Sequence, residues 1–198
     1  MFHCKPMSVQ GAEARVEISE DKVIKKRLEQ EYRHSELDQR IREERTREEK
    51  KNIDRARKYG ANVPKTQKVG ENILEQDRIK GEELKQVIES EPELMQEAGE
   101  NLAKMHSGDI IHGDLTTSNM IISEDNELNI IDLGLSQVSD RVEDKAVDIH
   151  LLKQVLESSH PNICEKAWKK FLEGYKNYES SEEVLERLEE VESRGRYK

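Results

Sequence analysis

Residues 110–134 read Ile-Ile-His-Gly-Asp-Leu-Thr-Thr-Ser-Asn-Met-Ile-Ile-Ser-Glu-Asp-Asn-Glu-Leu-Asn-Ile-Ile-Asp-Leu-Gly, and no other stretch limits the fold so tightly. Two short apolar runs bracket a polar loop, and a third ends in Asp132 and Gly134. The second and third runs are predicted to pair as antiparallel strands across residues 123–127, all of which favour turns or solvent. Such a hairpin carries Asp114, Asn119 and Asp132 to one end. Two carboxylates and a carboxamide meeting there suit a divalent cation that holds phosphate oxygens. One carboxylate is then left to orient a nucleophile.

The spacing, five residues from Asp114 to Asn119 and eighteen from Asp114 to Asp132, resembles the catalytic and metal loops of the protein-kinase superfamily. A chain of 198 residues has room for one sizeable core or two small lobes sharing a cleft, and is short for that fold. Charged residues make up 38% and aromatic ones 4%, so apolar material is thin and the surface heavily ionised. The net charge of -10 argues against broad, non-specific nucleic-acid binding. Cys4 and Cys164 stand alone with neither metal nor redox spacing, which points to a reduced intracellular setting. No apolar run reaches membrane-spanning length and the first residues lack a signal-peptide pattern, so a cytoplasmic protein with no membrane contact is expected. Residues 1–6 read as a flexible extension.

Upstream of the hairpin, residues 9–19 and Lys22-Val23-Ile24-Lys25 read as two strands joined at Glu20-Asp21, with Gly11-Ala12-Glu13-Ala14 as the loop before them. In a nucleotide cleft such a loop lies over the phosphates, which makes Gly11, Ala12 and Glu13 candidate contacts; taken alone, a single glycine is better explained by an ordinary hairpin turn. Period two puts Val23 and Lys25 on one face, an apolar wall for a base beside an ammonium for phosphates, while Lys26 points away. Of the 34 residues from 25 to 58, 22 are charged and none is glycine or proline, so the second half should form a long solvated helix. Its apolar marks are Leu37, Ile41, Ile53 and Ala56. Glu49 shares a face with Ile53 and Ala56 and is the candidate partner for Lys25, with Glu44 and Glu48 as rivals.

Tyr59-Gly60 should end that helix, followed by strands near 66–69 and 73–74. Residues 75–81 fall where a bilobal kinase has its connector, whose backbone meets adenine, so Asp77 and Ile79 are candidate contacts there. A short helix is expected over 82–89, a capping box at Ser90-Glu91-Pro92-Glu93, and a core stripe of Leu94, Ala98, Leu102 and Met105 ended by Ser107-Gly108. His112 reads as a structural histidine bonding backbone near Asp132. Gly113 stands where many regulated kinases carry the arginine that receives a loop phosphate. Asp148, in the first turn of a further helix, should tie that helix to the backbone of the catalytic loop. Two more helices are expected near 162–175 and 181–192. The basic ending Arg194-Gly195-Arg196-Tyr197-Lys198 is then either a frayed terminus or an RNA contact.

Taken together, these residues resemble the small atypical kinase/ATPase subunit of the KEOPS complex, the PRPK-type family of archaea and eukaryotes. The resemblance rests on Gln10-Gly11-Ala12-Glu13-Ala14, Val23-Ile24-Lys25, Tyr32-Arg33-His34, Arg45-Thr46-Arg47-Glu48-Glu49, the run from His112 to Asn119, Ile131-Asp132-Leu133-Gly134, Glu143-Asp144-Lys145-Ala146-Val147-Asp148 and Arg194-Gly195-Arg196. It implies an α+β, minimal bilobal kinase-like fold, with a small antiparallel-sheet N-lobe and a truncated, mainly helical C-lobe. The divisions would be residues 7–79 and 80–192, with a basic tail at 193–198. It further implies an archaeal serine/threonine kinase and ATPase that uses ATP and Mg2+ in support of threonylcarbamoyladenosine modification of tRNA. Partners would be a transferase subunit and a small regulatory subunit, with tRNA met indirectly or through Arg194, Arg196 and Lys198. By motif position Asp114 orients the nucleophile, Asn119 and Asp132 hold the metal, Lys25 contacts phosphates and Glu49 positions Lys25. A small-molecule kinase of the aminoglycoside or choline type uses a similar loop but needs extra helices that this chain has no residues to build. A nucleotide-binding scaffold with little turnover sits poorly with intact Lys25, Asp114, Asn119 and Asp132.

Overall fold

The computed structural model describes residues 7–11 and 13–195, so the expected extension at 1–6, Ala12, and Arg196 and Lys198 of the tail lie outside the described residues. Strands β1 (Met7–Gln10), β2 (Ala14–Ile18) and β3 (Lys22–Arg27) lead into helix α1 (Ser35–Lys58), and β4 (Thr66–Gly70) and β5 (Ile73–Asp77) follow. The five strands make one antiparallel sheet in the order β1-β2-β3-β5-β4. The second half runs β6 (Gly81–Glu83), α2 (Leu84–Val87), α3 (Met95–Ser107), β7 (Ile110–Ile111), β8 (Met120–Ser123), β9 (Leu128–Ile130) and β10 (Gln137–Val138). It closes with α4 (Val142–Ser159), α5 (Cys164–Tyr175) and α6 (Ser181–Gly195). The architecture is α+β, an antiparallel sheet followed by a mainly helical half, as the resemblance implied.

The predicted hairpin is β8 against β9, with Met120 opposite Ile130 and Ile122 opposite Leu128. Several expectations are corrected. β2 already begins at Ala14, inside the loop expected at 11–14, and a further strand, β1, precedes it. Residues 75–77 belong to β5, where alternation buries Leu74 and Gln76, so the connector shrinks to Arg78, Ile79 and Lys80. Gly81, Glu82 and Glu83 pair with β8 rather than opening a helix, because the backbone of β8 offers them a ladder. The capping box does not form: Ser90 Oγ donates to the Val87 carbonyl at 2.9 Å, and a 3-10 turn, Pro92–Leu94, enters α3 without a side-chain cap. α6 runs on to Gly195, which makes Arg194 helical, paired with Glu143 at 2.9 Å, and not part of a loose tail.

The core lies in the helical half. Met95, Ala98, Leu102 and Met105 of α3 pack with Phe171 and Tyr175 of α5 and with Ile149, Leu152 and Leu156 of α4, all fully buried. Trp168, Phe171 and Tyr175 stack in a row along α5, with ring centroids 5.4 and 5.9 Å apart. α3 and α5 touch backbone to backbone at Gly99, where a Cβ would lie 2.1 Å from the Phe171 carbonyl oxygen. Ile53 and Ala56 join this core from the end of α1, which fixes the helix against the second half and aims Glu49 back at the sheet. Leu37, at the other end of α1, is exposed.

Candidate active site

Four charged side chains meet between the sheet and the hairpin. Lys25 Nζ, from the centre of β3, donates to Glu49 Oε1 at 2.8 Å and to Asp132 Oδ1 at 2.6 Å, closing contacts across 24 and 107 residues of chain. Arg27, two positions along the same strand face, donates from its terminal nitrogen to the other Glu49 oxygen at 2.5 Å. Glu49 is 2% exposed, and without both cations its charge would be costly to bury. Glu44 and Glu48, the rival glutamates, are exposed and turned away. Burial alone would lower the Lys25 pKa, but Glu49 and Asp132 outweigh it and hold the ammonium above its ordinary range. Burial likewise pushes the Asp132 carboxyl up, and the charge and hydrogen bond of Lys25 more than reverse this, so it stays ionised below its ordinary value. Asp132 takes a left-handed backbone, φ 58°, uncommon for a residue with a side chain, and accepts from Gly134 N at 3.3 Å. Arg27 escaped the sequence reading, although the period-two pattern that selects Lys25 also selects it.

The loop from His112 to Asn119 is held by an identifiable set of hydrogen bonds. Asn119 Nδ2 donates to the Asp114 carbonyl at 2.9 Å and to its carboxylate at 3.2 Å, so these two residues are brought together. The Ile131 N–H donates to the Asn119 carbonyl at 2.9 Å, which ties this pair to the residue before Asp132. Asp148 receives the N–H groups of His112 at 2.7 Å and Gly113 at 2.8 Å, as expected of it. His112 Nε2 donates to the Ile131 carbonyl at 3.0 Å, the structural role predicted for it. Nothing in the residue pattern singles out His106, which lies fully buried with Nε2 at 3.3 Å from Asp148 and Nδ1 at 2.7 Å from the Tyr175 hydroxyl. Because a carboxylate only accepts, the Asp148 contact puts the imidazole proton on Nε2. Burial holds this histidine below its ordinary pKa, against the pull of Asp148. Gly113 has φ 80°, and a Cβ there would lie 2.6 Å from the Leu135 carbonyl oxygen, so the position that bears arginine in many kinases admits only glycine here. Asn52, three residues after Glu49 on α1, donates to the Ser136 carbonyl and hydroxyl at 3.1 Å and anchors the segment after Gly134.

The remaining candidates lie around this centre. Gly11 and Glu13 sit in the β1–β2 turn, where Gly11 N donates to the Ala14 carbonyl and Glu13 accepts from Arg45 of α1 at 2.7 Å. Val23 is half-buried on β3. Asp77 gives its N–H to the Lys65 carbonyl and its carboxylate to Lys22 at 2.8 Å, so neither is free for a base, and Ile79 lies half-buried in the connector. The donor chemistry fits Mg2+. Asp132 offers a carboxylate and Asn119, whose amide nitrogen is occupied by Asp114, offers its carbonyl oxygen. Among the described residues there is no cluster of three His, Cys, Asp or Glu that could hold a metal. Phosphate and water would then complete the shell, the usual arrangement for this cation. Also among the described residues, no helix is long and apolar enough to cross a membrane.

Comparison with known proteins matches the RIO domain to residues 13–155. The chain is 36% identical over 96% of its length to the KEOPS complex subunit Bud32 of Pyrococcus abyssi, and covers 94% of that protein. It is 44% identical over 94% of its length to a probable bifunctional tRNA threonylcarbamoyladenosine biosynthesis protein of Methanoculleus marisnigri, of which it spans only 35%. Among solved structures it resembles the Rio2 kinase of Chaetomium thermophilum in its ADP/Mg2+-phosphoaspartate complex, with a TM-score of 0.61 over 98% of this chain and 72% of that one at 12% identity, a likeness of fold.

Proposed function

The chain belongs to the RIO domain family, in the branch that holds the KEOPS subunit Bud32, and from that premise we propose that it is an ATP-dependent serine/threonine kinase and ATPase that supports threonylcarbamoyladenosine modification of tRNA within a KEOPS-type assembly. The observation that carries this reading is Lys25 held at once by Glu49 and Asp132, with the Asp114–Asn119 pair tied to the residue before Asp132. This is the arrangement a phosphoryl-transfer centre needs.

When bound, Mg2+ would neutralise charge on the phosphates of ATP. Asp132 and Asn119 would hold it, both through oxygen. Lys25 would contact the phosphates, and Glu49 would fix its direction. Asp114, with its carboxylate steadied by Asn119, would orient the attacking hydroxyl or water and accept its proton. Gly11, Glu13 and the neighbouring Ala12 would cover the phosphates from the β1–β2 turn, Val23 would line the base, and Ile79, with the Asp77 carbonyl, would meet adenine. Among the described residues the second half closes with the three helices α4, α5 and α6. In this reading water or the chain's own hydroxyls are the favoured acceptors.

Kinship with a tRNA-modification assembly supports a cytoplasmic protein that works with a transferase subunit and a small regulatory subunit. The chain spans about a third of that bifunctional relative. Arg194 is occupied by Glu143, so any tRNA contact of the basic ending falls to Arg196 and Lys198. Asp114→Asn should cut phosphate release about 100-fold or more, the usual contribution of a positioned base, while nucleotide binding survives. Unchanged turnover rejects the assignment. The same assay with the transferase partner and tRNA added should show stimulation, and none would count against the assembly.

A further inference from the structure

Glu49 sits in a position that one lysine alone could not sustain. It is 2% exposed and carries two cations, Lys25 on Oε1 at 2.8 Å and Arg27 on Oε2 at 2.5 Å. Arg27 is itself 5% exposed, and its terminal nitrogen lies 3.7 Å from where a Cβ on Gly134 would be, so it borders the metal-loop glycine as well as the glutamate. Its backbone is fixed on both sides, with Arg27 N donating to the Asn72 carbonyl and Asn72 Nδ2 donating to the Arg27 carbonyl at 3.2 Å. Lys25, by contrast, is shared between Glu49 and the exposed carboxylate of Asp132.

These four groups form a neutral set, two cations and two anions, in which each inner member has two partners. A lysine that turns toward phosphate weakens its hold on Glu49. With Lys25 as the sole partner, sharing its charge between Glu49 and phosphate would leave the buried carboxylate only partly neutralised, which is costly. A second fixed cation removes that obstacle. We propose that Arg27 is a positioning residue: it keeps Glu49 neutralised and oriented while Lys25 engages the nucleotide, and so sets nucleotide affinity without touching the nucleotide. The proposal rests on the reading of the cleft as an ATP site.

The test is a double-mutant cycle on nucleotide binding, read as the Kd of a fluorescent ADP analogue with Mg2+, with the thermal midpoint of each free variant as a control for folding. Arg27→Met should weaken binding about tenfold or more, the scale of one charged hydrogen bond, in protein that is still folded. Arg27→Lys, which keeps the charge, should recover most of that loss. Arg27→Met combined with Glu49→Gln should bind no worse than Glu49→Gln alone, because Arg27 acts only through Glu49. A purely structural arginine would lower the midpoint, leave Kd unchanged in the folded fraction and add its effect to that of Glu49→Gln, and either result overturns the proposal. Should Arg27→Met fail to fold, Arg27→Lys against Glu49→Gln decides: a Kd as poor as that of Glu49→Gln sinks it. If the wild-type chain binds no nucleotide at all, it is the reading of the cleft that fails.

Discussion

The two halves of the molecule are held together by different means. In the helical half, α3, α4, α5 and α6 bury a contiguous apolar core of Leu, Ile, Met, Phe and Tyr side chains. In the sheet, Leu74 is fully buried while Val16, Ile18, Val23 and Ile24 remain half-exposed. Cross-links of charge compensate: Lys22 with Glu75 and Asp77, Lys25 and Arg27 with Glu49, Arg42 with Asp38, Arg45 with Glu13, and Lys80 with Asp21. Apolar burial is non-directional and insensitive to salt, whereas ion pairs are directional, adjustable and screened. The half that carries the loop from His112 to Asn119 is packed, and the half that carries Lys25 is wired with charges it can exchange.

Removing volume should therefore break the helical half first, and take the whole molecule with it. Phe171→Ala unstacks Trp168 and Tyr175 and should cost about 3–5 kcal/mol, the usual range for a buried aromatic, seen as a large fall in the urea midpoint by circular dichroism. A loss below about 1 kcal/mol would mean the stack is not the keystone. Gly113→Ala comes next in size. It forces a side chain to φ 80° and against the Leu135 carbonyl, and strain of this kind runs to about 1–3 kcal/mol. Because Gly113 N also binds Asp148, turnover should fall by more than stability does, and equal proportional losses would argue that the strain spreads away from the loop.

How far each half could be read from the sequence follows the same division. The hairpin, the α3 stripe and the Asp148 tether were legible, because apolar periodicity and short motifs report packing directly. Glu49 was legible because Ile53 and Ala56 mark its face. Arg27 and Asn52 were not, since in a charged segment nothing distinguishes a buried polar side chain from a solvated one until its partner is known. Residues 75–77 misled differently: their order in the chain, not their chemistry, suggested a connector, yet ladder bonds with β3 and β4 make them a strand. His106 was hidden because its partners, Asp148 and Tyr175, are 42 and 69 residues away.

Acidity acts on both halves in the same direction but in different pH ranges. His106 is held neutral below its ordinary pKa by burial, so the unfolded chain takes up protons before the folded one does. Its contribution is present above about pH 6.5 and is lost as pH falls below it. Asp132 in the cleft is depressed from the ordinary carboxylate value, so its contribution persists until pH falls through about 4. Trp168 is the only tryptophan and lies in α5, which makes its fluorescence a reporter of the helical half. Its thermal midpoint should decline between pH 7 and 5, and His106→Gln should flatten that slope. A slope that survives the substitution would place the titrating group elsewhere.

The smallest effect is the sharpest discriminator. Arg45 and Glu13 link α1 to the β1–β2 turn at 2.7 Å, with 41% and 46% of their side chains exposed. A pair so open is worth about 0.2–1 kcal/mol, so Arg45→Ala should hardly move global unfolding. What it should change is local: without the tether, hydrogen exchange at Gly11 and Glu13 should speed up while amides of α3 and α5 keep their protection. The wild-type chain in roughly 1 M salt, where the screening length falls to about 3 Å, should copy the variant at low salt, and the Phe171→Ala defect should persist in that same salt. An Arg45→Ala effect that is equal at low and high salt would mean that this arginine works through its aliphatic stem, and that the sheet, like the helices, depends on packing.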